Sequence, residues 1–558
     1  MNQKYVIGLD YGTLSGRAVL ARCNNGEIVA TAVKAYSHGV MDQYLPDGYT
    51  KLPVNWALEH PQDYLDVLDI TIPKLLHDSG IAKEDIIGIS IDFTSCTVLP
   101  IDKNGVPLCM HPEFIHRPNA YVKLWKHHGA QQEADQINAL LESRNEITSP
   151  RFGGRISSEL LIPKVLEIIR NDYEVYEAAD EILEAGDWLT RLLTGSQKRS
   201  GSMAGYKAWW LPEEGYPKTD FYAALDTRME NIVEDKLSGD ICPVGGKIGV
   251  LSEEWGNRLG LMQGMAVGAS IIDSHAGAPG SGIRQKGQMM LVVGTSSVMV
   301  ALSDKPYAKK GVCGALKGGI IPGYYALESG LAAVGDMLGW FVERCVPESY
   351  ANLAKEENVS VHELLTKLGL RCNAGSSGLL ALDWWNGNKT PHVDGDLSGV
   401  ILGMTLRTKP EEIYRALIES TAYGTRMIIE TFEEAGIEIA EIIASGGIAE
   451  KNPLFMQIYA DVTGKAIKLA ASNQTAALGS AIYAAVAAGK EKGGYASLGE
   501  AVMAMSGVKD LIYHPIDENK IVYERLYEEY KTLSDYFGPK ENGVLKRLYE
   551  IKVEQTRY

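Results

Sequence analysis

A glycine-rich turn near the N-terminus carries the residue types that a phosphate group requires. The turn lies between the apolar runs 5–10 and 17–22 and supplies Gly12, Thr13, Ser15, Gly16 and Arg17. Glycine lets backbone N–H groups approach a phosphate closely, and hydroxyl donors with a cation complete the contact. Asp10, at the end of the first run, could bind Mg²⁺ directly or through water. A plain hairpin with a capping aspartate is the alternative.

The same combination returns in the second half of the chain. Segment 289–303 contains two apolar runs joined by the turn Gly294, Thr295 and Ser296. This turn could contact a phosphate chain from the side opposite the first turn. Further on, Gly446 and Gly447 follow another apolar run, and their lack of side chains would let a nucleotide base or ribose approach the backbone. Each motif alone is also compatible with an ordinary turn.

One carboxylate is suited to act as a base. Asp273 follows an apolar run and precedes small residues, so it could accept the proton of a substrate hydroxyl during phosphoryl transfer. A helix cap is the alternative role, and the neighbouring His275 is more typical of a turn hydrogen bond than of catalysis. Polar groups suited to a polyol are scattered along the chain: Ser95, Cys96, Trp125, Lys126, Lys207 and Glu328. Nothing in their spacing requires them to lie together.

Apolar periodicity predicts the elements that would hold these residues. Strands are expected at 5–10, 17–22, 28–33 and 86–93, in both arms of 289–303, and at 441–447. Helices are expected at 409–436 and after Asn452, where an Asn-Pro pair opens the helix and Gly464 closes it. Residues 119–193 are expected to be mainly helical. The two strand–turn–strand segments favour two related halves, and two unrelated hairpins are the alternative.

Length and composition restrict the class of protein. A chain of 558 residues is too long for one hydrophobic core, so at least two large domains are expected. The net charge of −17 argues against a nucleic-acid or anionic-membrane partner. Seven scattered cysteines without a CxxC pair favour reduced thiols over disulfides or zinc. The N-terminus does not resemble a signal peptide, and Glu328 and Asp336 interrupt the apolar stretch 320–341, so a cytoplasmic protein is expected.

In this order, the motifs resemble the FGGY family of carbohydrate kinases over residues 4–495. Segment 399–419, GVILGMTLRTKPEEIYRALIE, has the spacing of that family's C-terminal signature. DYGTLSGR and GTSS resemble its two phosphate motifs, and SGGIAEKNPLFMQIYADVTG resembles its adenosine motif. The resemblance implies an α/β fold with two actin-like (ribonuclease H-like) ATPase domains flanking a central cleft. It predicts a sugar-binding domain at 1–285, a nucleotide-binding domain at 286–500 and a helical extension at 501–558.

Within that family, four segments resemble the L-ribulose kinases: 91–102, 124–128, 202–210 and 273–277. This resemblance implies transfer of the γ-phosphoryl group of MgATP to the 5-hydroxyl of L-ribulose, with Asp273 as the base. The implied sugar contacts are Ser95, Cys96, Lys207, Asp273 and Glu328. The implied Mg²⁺ ligand is Asp10. The implied ATP contacts are Gly12, Thr13, Ser15, Arg17, Gly294, Thr295, Ser296, Gly335, Gly446, Gly447 and Asn452, with Lys451 as the alternative to Asn452.

Two other activities remain open from the sequence. Another sugar kinase of the family would act on D-ribulose, ribitol or xylulose, whereas an actin-like or chaperone-like ATPase would use the fold to hold a protein partner. The family's earlier signature has a tryptophan near the position of Glu167 and Ile168. Because this chain departs from the signature there, the resemblance predicts ligand contacts in that stretch less well than elsewhere. The expected ligands are MgATP and a pentulose. The sequence leaves open whether the protein forms a homodimer.

Overall fold

The computed structural model describes residues 3–144, 154–307, 311–538 and 542–556. The strands of the N-terminal half are β1 (Tyr5–Tyr11), β2 (Ser15–Arg22), β3 (Ile28–Ala35), β4 (Leu58–Glu59), β5 (Ile86–Phe93), β6 (Val98–Ile101), β7 (Val122–Lys123), β8 (Glu181–Glu184), β9 (Arg199–Ser200), β10 (Ile241–Cys242), β11 (Lys247–Val250), β12 (Ala266–Gly268) and β13 (Ile271–Ile272). Its helices are α1 (Pro61–Ser79), α2 (Gln131–Arg144), α3 (Leu161–Asn171), α4 (Tyr173–Ala178), α5 (Ala185–Thr194), α6 (Gly201–Lys207), α7 (Thr219–Leu225), α8 (Ile232–Asp235), α9 (Glu253–Leu259) and α10 (Asp273–Ser281).

The C-terminal half continues the series. Its strands are β14 (Gly287–Val293), β15 (Ser297–Ser303), β16 (Cys313–Lys317), β17 (Tyr325–Leu331), β18 (Leu380–Leu382), β19 (Val400–Leu402), β20 (Ile439–Ser445), β21 (Ile467–Ala470) and β22 (Val508–Tyr513). Its helices are α11 (Gly335–Arg344), α12 (Glu348–Glu356), α13 (Val361–Gly369), α14 (Pro410–Glu434), α15 (Gly447–Lys451), α16 (Pro453–Thr463), α17 (Thr475–Ala488), α18 (Leu498–Met505), α19 (Asp517–Phe537) and α20 (Val544–Thr556).

The N-terminal half is built on a mixed sheet in the order β11-β12-β5-β1-β2-β3, with β13 also beside β5. Strand β1 is antiparallel to β2 and parallel to β5. The apolar runs of β1 and β5 are buried almost throughout, as expected of central strands covered on both faces. The predicted strands at 5–10, 17–22, 28–33 and 86–93 are confirmed. The carboxyl ends of β1 and β5 therefore lie side by side.

The C-terminal half repeats this plan. Its sheet has the order β16-β17-β15-β14-β20-β21-β22. Strand β14 is antiparallel to β15 and parallel to β20, as β1 is to β2 and β5. The two halves are therefore built alike, and the strands predicted in 289–303 and at 441–447 are confirmed. The chain has an α/β fold with two actin-like domains.

Two helices, α10 and α17, pack against each other where the two halves meet. Helix α17 comes from the C-terminal half but lies on the N-terminal sheet, against β1 and β5. The contacts need small residues: a Cβ added to Gly479 would lie 1.7 Å from the Ala276 carbonyl oxygen, and one added to Gly8 would lie 2.0 Å from that of Ala477. The C-terminal half therefore supplies part of the core of the N-terminal half.

The predicted helices at 409–436 and after Asn452 are confirmed as α14 and α16. Gly464 ends α16 in the left-handed region with a φ of 67°. The region 119–193 is less helical than expected, because it also contains β7 and β8, which join β4 and β6 in a second, four-stranded sheet. Within the described ranges, none of the helices combines the length and apolar character needed to span a bilayer.

The segment after residue 500 is more than a helical appendage. Its strand β22 pairs antiparallel with β21 and so extends the C-terminal sheet. Helix α19 then packs against α16 and β18, and its buried tyrosines donate hydrogen bonds to other residues of the C-terminal half. Tyr523 Oη donates to Glu419 Oε1 at 2.8 Å, and Tyr530 Oη donates to Asp383 Oδ1 at 2.6 Å. The domain boundaries 1–285, 286–500 and 501–558 remain a prediction.

Candidate active site

The N-terminal turn, between β1 and β2, is tight and open on one side. The Gly12 N–H donates to the Ser15 carbonyl at 3.1 Å, which closes the turn. A Cβ added to Gly12 would meet only that carbonyl, at 3.5 Å, so the space above the turn is free. Trp125 Nε1 donates to Thr13 Oγ1 at 3.1 Å. This bond brings segment 124–128 against the turn.

Next to this turn, two carboxylates lie side by side. The parallel register of β1 and β5 places Asp10 beside Asp92. Arg17 Nη1 lies 3.5 Å from Asp10 Oδ2, and Ser480 on α17 donates its hydroxyl to Asp92 Oδ2 at 2.7 Å. Burial raises the pKa of both carboxyls, and the proximity of Asp10 raises that of Asp92 further. Within the described residues, Asp92 Oδ1 is buried without a hydrogen-bond donor. The pair is therefore suited to a cation.

The turn of the C-terminal half has the same form. The Gly294 N–H donates to the Ser296 carbonyl at 2.9 Å, and the Thr295 carbonyl accepts the N–H of Val334 at 2.8 Å. Gly335, the first residue of α11, donates its N–H to the Gly294 carbonyl at 3.0 Å. A Cβ at Gly335 would lie 2.5 Å from that carbonyl, so a side chain cannot be accommodated there without movement. The start of α11 and the turn thus form one unit.

The glycine pair after β20 lies against the same strand end. Gly446 has a φ of 100°, and a Cβ there would lie 2.3 Å from the Val293 carbonyl oxygen. A side chain would be strained by both the backbone angle and the contact. A Cβ at Gly447, the first residue of α15, would meet nothing within 4 Å. The structure therefore brings Gly294, Gly335, Gly446 and Gly447 together around an open space.

Asn452 and Lys451, the two alternatives beyond α15, have different environments. The Asn452 side chain is buried and caps α16 by accepting the Phe455 N–H at 3.0 Å. Lys451 is exposed at the end of α15. The cap occupies the side-chain oxygen of Asn452, so Lys451 is the more available of the two.

Asp273 lies at the same strand ends as the carboxylate pair. It is the first residue of α10 and follows β13, whose Ile271 pairs with Asp92. Its Oδ1 accepts the N–H of the adjacent Ser274 at 2.7 Å. Removal from bulk water raises the pKa of Asp273 to about 7; the Ser274 bond and the Lys207 ammonium oppose the rise, and nearby carboxylates add to it. Helix α10 has no side-chain cap, so capping does not account for this carboxylate.

A histidine–glutamate pair connects the two halves close to Asp273. His275 Nε2 lies 2.9 Å from Glu328 Oε2; the histidine is on α10 and the glutamate on β17. Burial would raise the pKa of Glu328, but the Lys207 ammonium and the His275 bond outweigh it and hold that pKa well below its usual range. Lys207 is the last residue of α6 and its charge also acts on Asp273. Four ionisable side chains therefore lie close together at the junction of the halves, and we call them the charged group: Lys207, Asp273, His275 and Glu328.

Cys96 occupies a strained turn within reach of the Lys207 charge. Its φ of 54° lies in the left-handed region that non-glycine residues rarely adopt. Lys164 Nζ donates to the Cys96 carbonyl at 2.5 Å and to the Leu124 carbonyl at 2.8 Å, which fixes this turn. Burial raises the pKa of the Cys96 thiol to about 12, so it is a neutral thiol near pH 7, and the preceding Ser95 is half-buried.

The departure from the family signature at Glu167 has a local explanation. Glu167 is buried on α3, with Oε2 2.9 Å from Lys123 Nζ and 2.8 Å from His127 Nε2. Burial would raise the pKa of Glu167, but the Lys123 charge and the His127 bond lower it to about 2. Lys123 Nζ also lies 4.0 Å from the centroid of the Trp56 ring. An ion-paired network thus accommodates the buried Glu167 at this position.

The structure gathers the predicted residues in two groups. The phosphate-type turns, Asp10 and the glycines lie at the strand ends of the two sheets, while Cys96, Lys207, Asp273 and Glu328 share one electrostatic environment.

Sequence reasoning assigned no role to Asp92 or Lys164. Only the pairing of β5 with β1 could have indicated Asp92, because its position beside Asp10 depends on register. His275 was expected to make a hydrogen bond within its turn, whereas its Nε2 contacts Glu328 on β17, 53 residues further along the chain.

Comparison with known proteins agrees with this arrangement. The N-terminal domain of the FGGY family of carbohydrate kinases matches residues 5–280, and its C-terminal domain matches residues 289–488. The chain belongs to the FGGY family of carbohydrate kinases. The ribulokinase of Bacillus licheniformis is 51% identical to it over 543 residues, covering 97% of this chain and 98% of that protein. The ribulokinase of Geobacillus thermodenitrificans is 50% identical over 552 residues, covering 99% and 98%.

Solved structures share the FGGY fold. The xylulose kinase of Rhodospirillum rubrum has a TM-score of 0.78 at 24% identity, covering 96% of this chain and 99% of that one. The gluconate kinase of Lactobacillus acidophilus has a TM-score of 0.79 at 19% identity, covering 97% and 99%. At these identities the comparison shows the fold alone.

The two strand-end regions of this FGGY chain fit a magnesium–nucleotide complex. The paired Asp10 and Asp92 supply hard oxygen atoms, and one of these, Asp92 Oδ1, is buried without a hydrogen-bond partner in the part of the chain that the structure describes. Magnesium in phosphate-transferring sites takes one or two carboxylates together with substrate phosphates. The open spaces over Gly12 and Gly447 leave room for the phosphates and the nucleoside. The residues present are therefore compatible with both ligands.

Proposed function

We propose that this kinase transfers the γ-phosphoryl group of MgATP to the 5-hydroxyl of L-ribulose, as a step of L-arabinose catabolism. The observation that carries the proposal is similarity to ribulokinases at 50–51% identity over at least 97% of the chain. The charged group at the junction of the halves supports it, because it provides a base, a cation and an ionised carboxylate for one polyhydroxylated substrate.

Asp273 is the proposed base. It accepts the proton of the 5-hydroxyl while that oxygen forms a bond to the γ-phosphorus, and the bond from the γ-phosphorus to the β–γ bridging oxygen breaks to release ADP. A pKa of about 7 suits this role, since a base whose pKa lies near the working pH is ionised and still takes up a proton readily.

Lys207, Glu328, Cys96 and Ser95 are the proposed sugar contacts. The Lys207 ammonium donates to sugar hydroxyls, and the ionised Glu328, held by His275, accepts from them. A pocket that bonds each hydroxyl rejects sugars that leave its polar groups unpaired. Discrimination against pentuloses with a different hydroxyl configuration should therefore be steep.

The nucleotide is proposed to lie between the two turns. The phosphates are held by the N-terminal turn residues Gly12, Thr13, Ser15 and Arg17 and by Gly294, Thr295 and Ser296. Gly335, Gly446 and Gly447 border the nucleoside; of the two polar alternatives, the exposed Lys451 is favoured over the buried Asn452. Asp10 would hold Mg²⁺, with Asp92 beside it. Bound there, the ion would neutralise charge on the transferring group.

The test is a substrate panel followed by ADP production. We expect L-ribulose to give the highest kcat/KM among L-ribulose, D-ribulose, ribitol and xylulose. A higher value on xylulose would replace the assignment by another sugar kinase. ADP production that no pentulose or pentitol increases would instead favour an ATPase that holds a protein partner. Product analysis by ³¹P NMR checks that phosphate is attached at carbon 5.

Two further expectations belong to this proposal. A sugar kinase acting with cytosolic ATP is expected in the cytoplasm, which cell fractionation would test. A homodimer is proposed for the chain in solution, and sedimentation equilibrium would distinguish it from a monomer.

A further inference from the structure

A buried carboxylate outside the site connects three segments of the N-terminal half. Asp187 lies in the first turn of α5 and is 2% exposed. Its Oδ1 accepts the backbone N–H of Ser200 at 2.8 Å and the hydroxyl of Ser270 at 3.0 Å. Ser200 Oγ in turn donates to the Ser270 carbonyl at 2.5 Å. The three residues therefore form a closed, fully buried set of hydrogen bonds.

Each serine begins a segment that ends at a proposed active-site residue. Ser200 is the N-cap of α6, where its side chain accepts the Met203 N–H at 3.4 Å, and the last residue of that helix is Lys207. Ser270 directly precedes β13, and Asp273 follows this two-residue strand. The sugar-binding lysine and the base are thus attached through short, regular elements to one carboxylate.

Two more features hold Asp187 in place. Gly186 lies at a close approach, since a Cβ there would be 3.0 Å from the Ser270 Cβ and 2.8 Å from the Met203 Cε. Arg199 is buried with its Nε 3.7 Å from Asp187 Oδ2. Within the described residues, none of the three guanidinium nitrogens of Arg199 has a hydrogen-bond partner, so the side chain acts on Asp187 through its charge. Burial raises the pKa of Asp187, and the Arg199 charge opposes this rise and so favours the ionised form of the carboxylate.

We propose that Asp187 is a positioning residue that fixes the distance between Lys207 and Asp273 by accepting hydrogen bonds from both Ser200 and Ser270. The proposal rests on the proposed function, because it takes Lys207 and Asp273 as sugar contact and base. It assigns to Asp187 no contact with substrate. Displacing reacting groups by about 1 Å can lower a rate 10²-fold, which is the size of effect expected when this connection is broken.

The test uses three variants and a control from the same helix. Asp187→Asn keeps an acceptor oxygen but loses the charge facing Arg199, and we expect kcat to fall about 10- to 100-fold with the KM for ATP within twofold of wild type. Ser270→Ala should lower mainly kcat and shift its pH profile, because it releases the segment that carries Asp273. Ser200→Ala should raise mainly the KM for the sugar. Thr190→Val removes a hydrogen bond to the backbone carbonyl of Asp187 but leaves the contacts of its carboxylate intact, so it should leave these constants unchanged.

The outcomes separate positioning from general stability. Two results would overturn the proposal. One is a wild-type kcat and sugar KM in Asp187→Asn. The other is a loss of activity in all three variants that parallels the fall in Tm and changes the KM for ATP as much as the KM for the sugar. If Asp187→Asn does not fold, Ser270→Ala decides, because it removes the hydroxyl that Asp187 accepts, whereas Ser200→Ala keeps the backbone N–H of that residue. The substrate panel on the wild-type enzyme is independent: if it identifies a different sugar, the proposed function fails, and the same variants are measured on that sugar.

Discussion

At the residue scale, the geometry around Asp273 predicts what its removal does. Asp273→Asn keeps the size of the side chain and an oxygen for the Ser274 N–H, but it cannot take up a proton. We expect kcat to fall about 10²- to 10⁴-fold, the range that general-base catalysis contributes. The Kd for ATP, measured by isothermal titration calorimetry, should stay within about twofold. The exposed Asp304→Asn is the matched control, and near-normal kcat in Asp273→Asn would place the base elsewhere.

The pKa of Asp273 also predicts the pH dependence. The ionised form is the active base, and its pKa is raised to about 7, so kcat/KM should fall as the pH decreases below about 7. Lys207 lowers this pKa and Glu328 raises it, so Lys207→Met should move the profile to higher pH and Glu328→Gln to lower pH. Each profile is recorded on the activity that the variant retains with the preferred sugar. Shifts in the same direction for both variants would contradict the assignment.

Many of the contacts between individual residues of the site could not be predicted from the sequence. The turns and Asp273 were recognisable because local spacing places them at strand ends. Asp92 and Lys164 were not, since their roles depend on partners far away in the chain: Ser480 lies 388 residues from Asp92, and Lys164 lies 68 residues from Cys96. Gly335 was identified only through family resemblance. Local sequence patterns therefore predicted which side chains lie at the strand ends, and the fold determines which residues they contact.

At the element scale, the contact between α10 and α17 depends on the absence of side chains. Gly479→Ala would place a methyl group 1.7 Å from the Ala276 carbonyl oxygen, so one helix must move. We expect a loss of more than about 2 kcal/mol in the free energy of unfolding, as for other overpacked cores. Urea denaturation monitored by circular dichroism measures it.

Helix α18 offers the control for this substitution. A Cβ at Gly499 meets nothing within 4 Å, so Gly499→Ala should stabilise the protein by up to about 1 kcal/mol through helix propensity. If both alanines had the same effect, the close approach of α10 and α17 would not be required for stability.

Strands and long helices were the most predictable elements. Helix α14 could be located to within a few residues because its apolar period runs through 25 residues between Pro410 and Gly436. The short strands β7 and β8 were missed because two to four residues carry too little periodic signal inside a mainly helical stretch. Strand β22 was missed because it is exposed along most of its length and lacks the apolar alternation of a covered strand.

At the scale of the whole molecule, the C-terminal half completes a core of the N-terminal half while keeping a core of its own. The apolar residues of α17 at 477–478 and 481–485 belong to the same buried cluster as β1, β2 and β5. A fragment of residues 1–285 would lack this helix, so we expect it to show no cooperative thermal transition. Adding a peptide of residues 472–490 should restore a transition. A fragment that unfolds cooperatively without the peptide would show that the N-terminal half is self-sufficient.

The position of α17 also affects the order of events during synthesis. The N-terminal sheet leaves the ribosome long before residue 475, so one face of its central strands has no native cover while most of the second half is still being translated. A nascent chain in that interval exposes apolar strands of the kind that chaperones bind. The helix that joins the two halves in the finished enzyme thus delays completion of the first half until the second is nearly made.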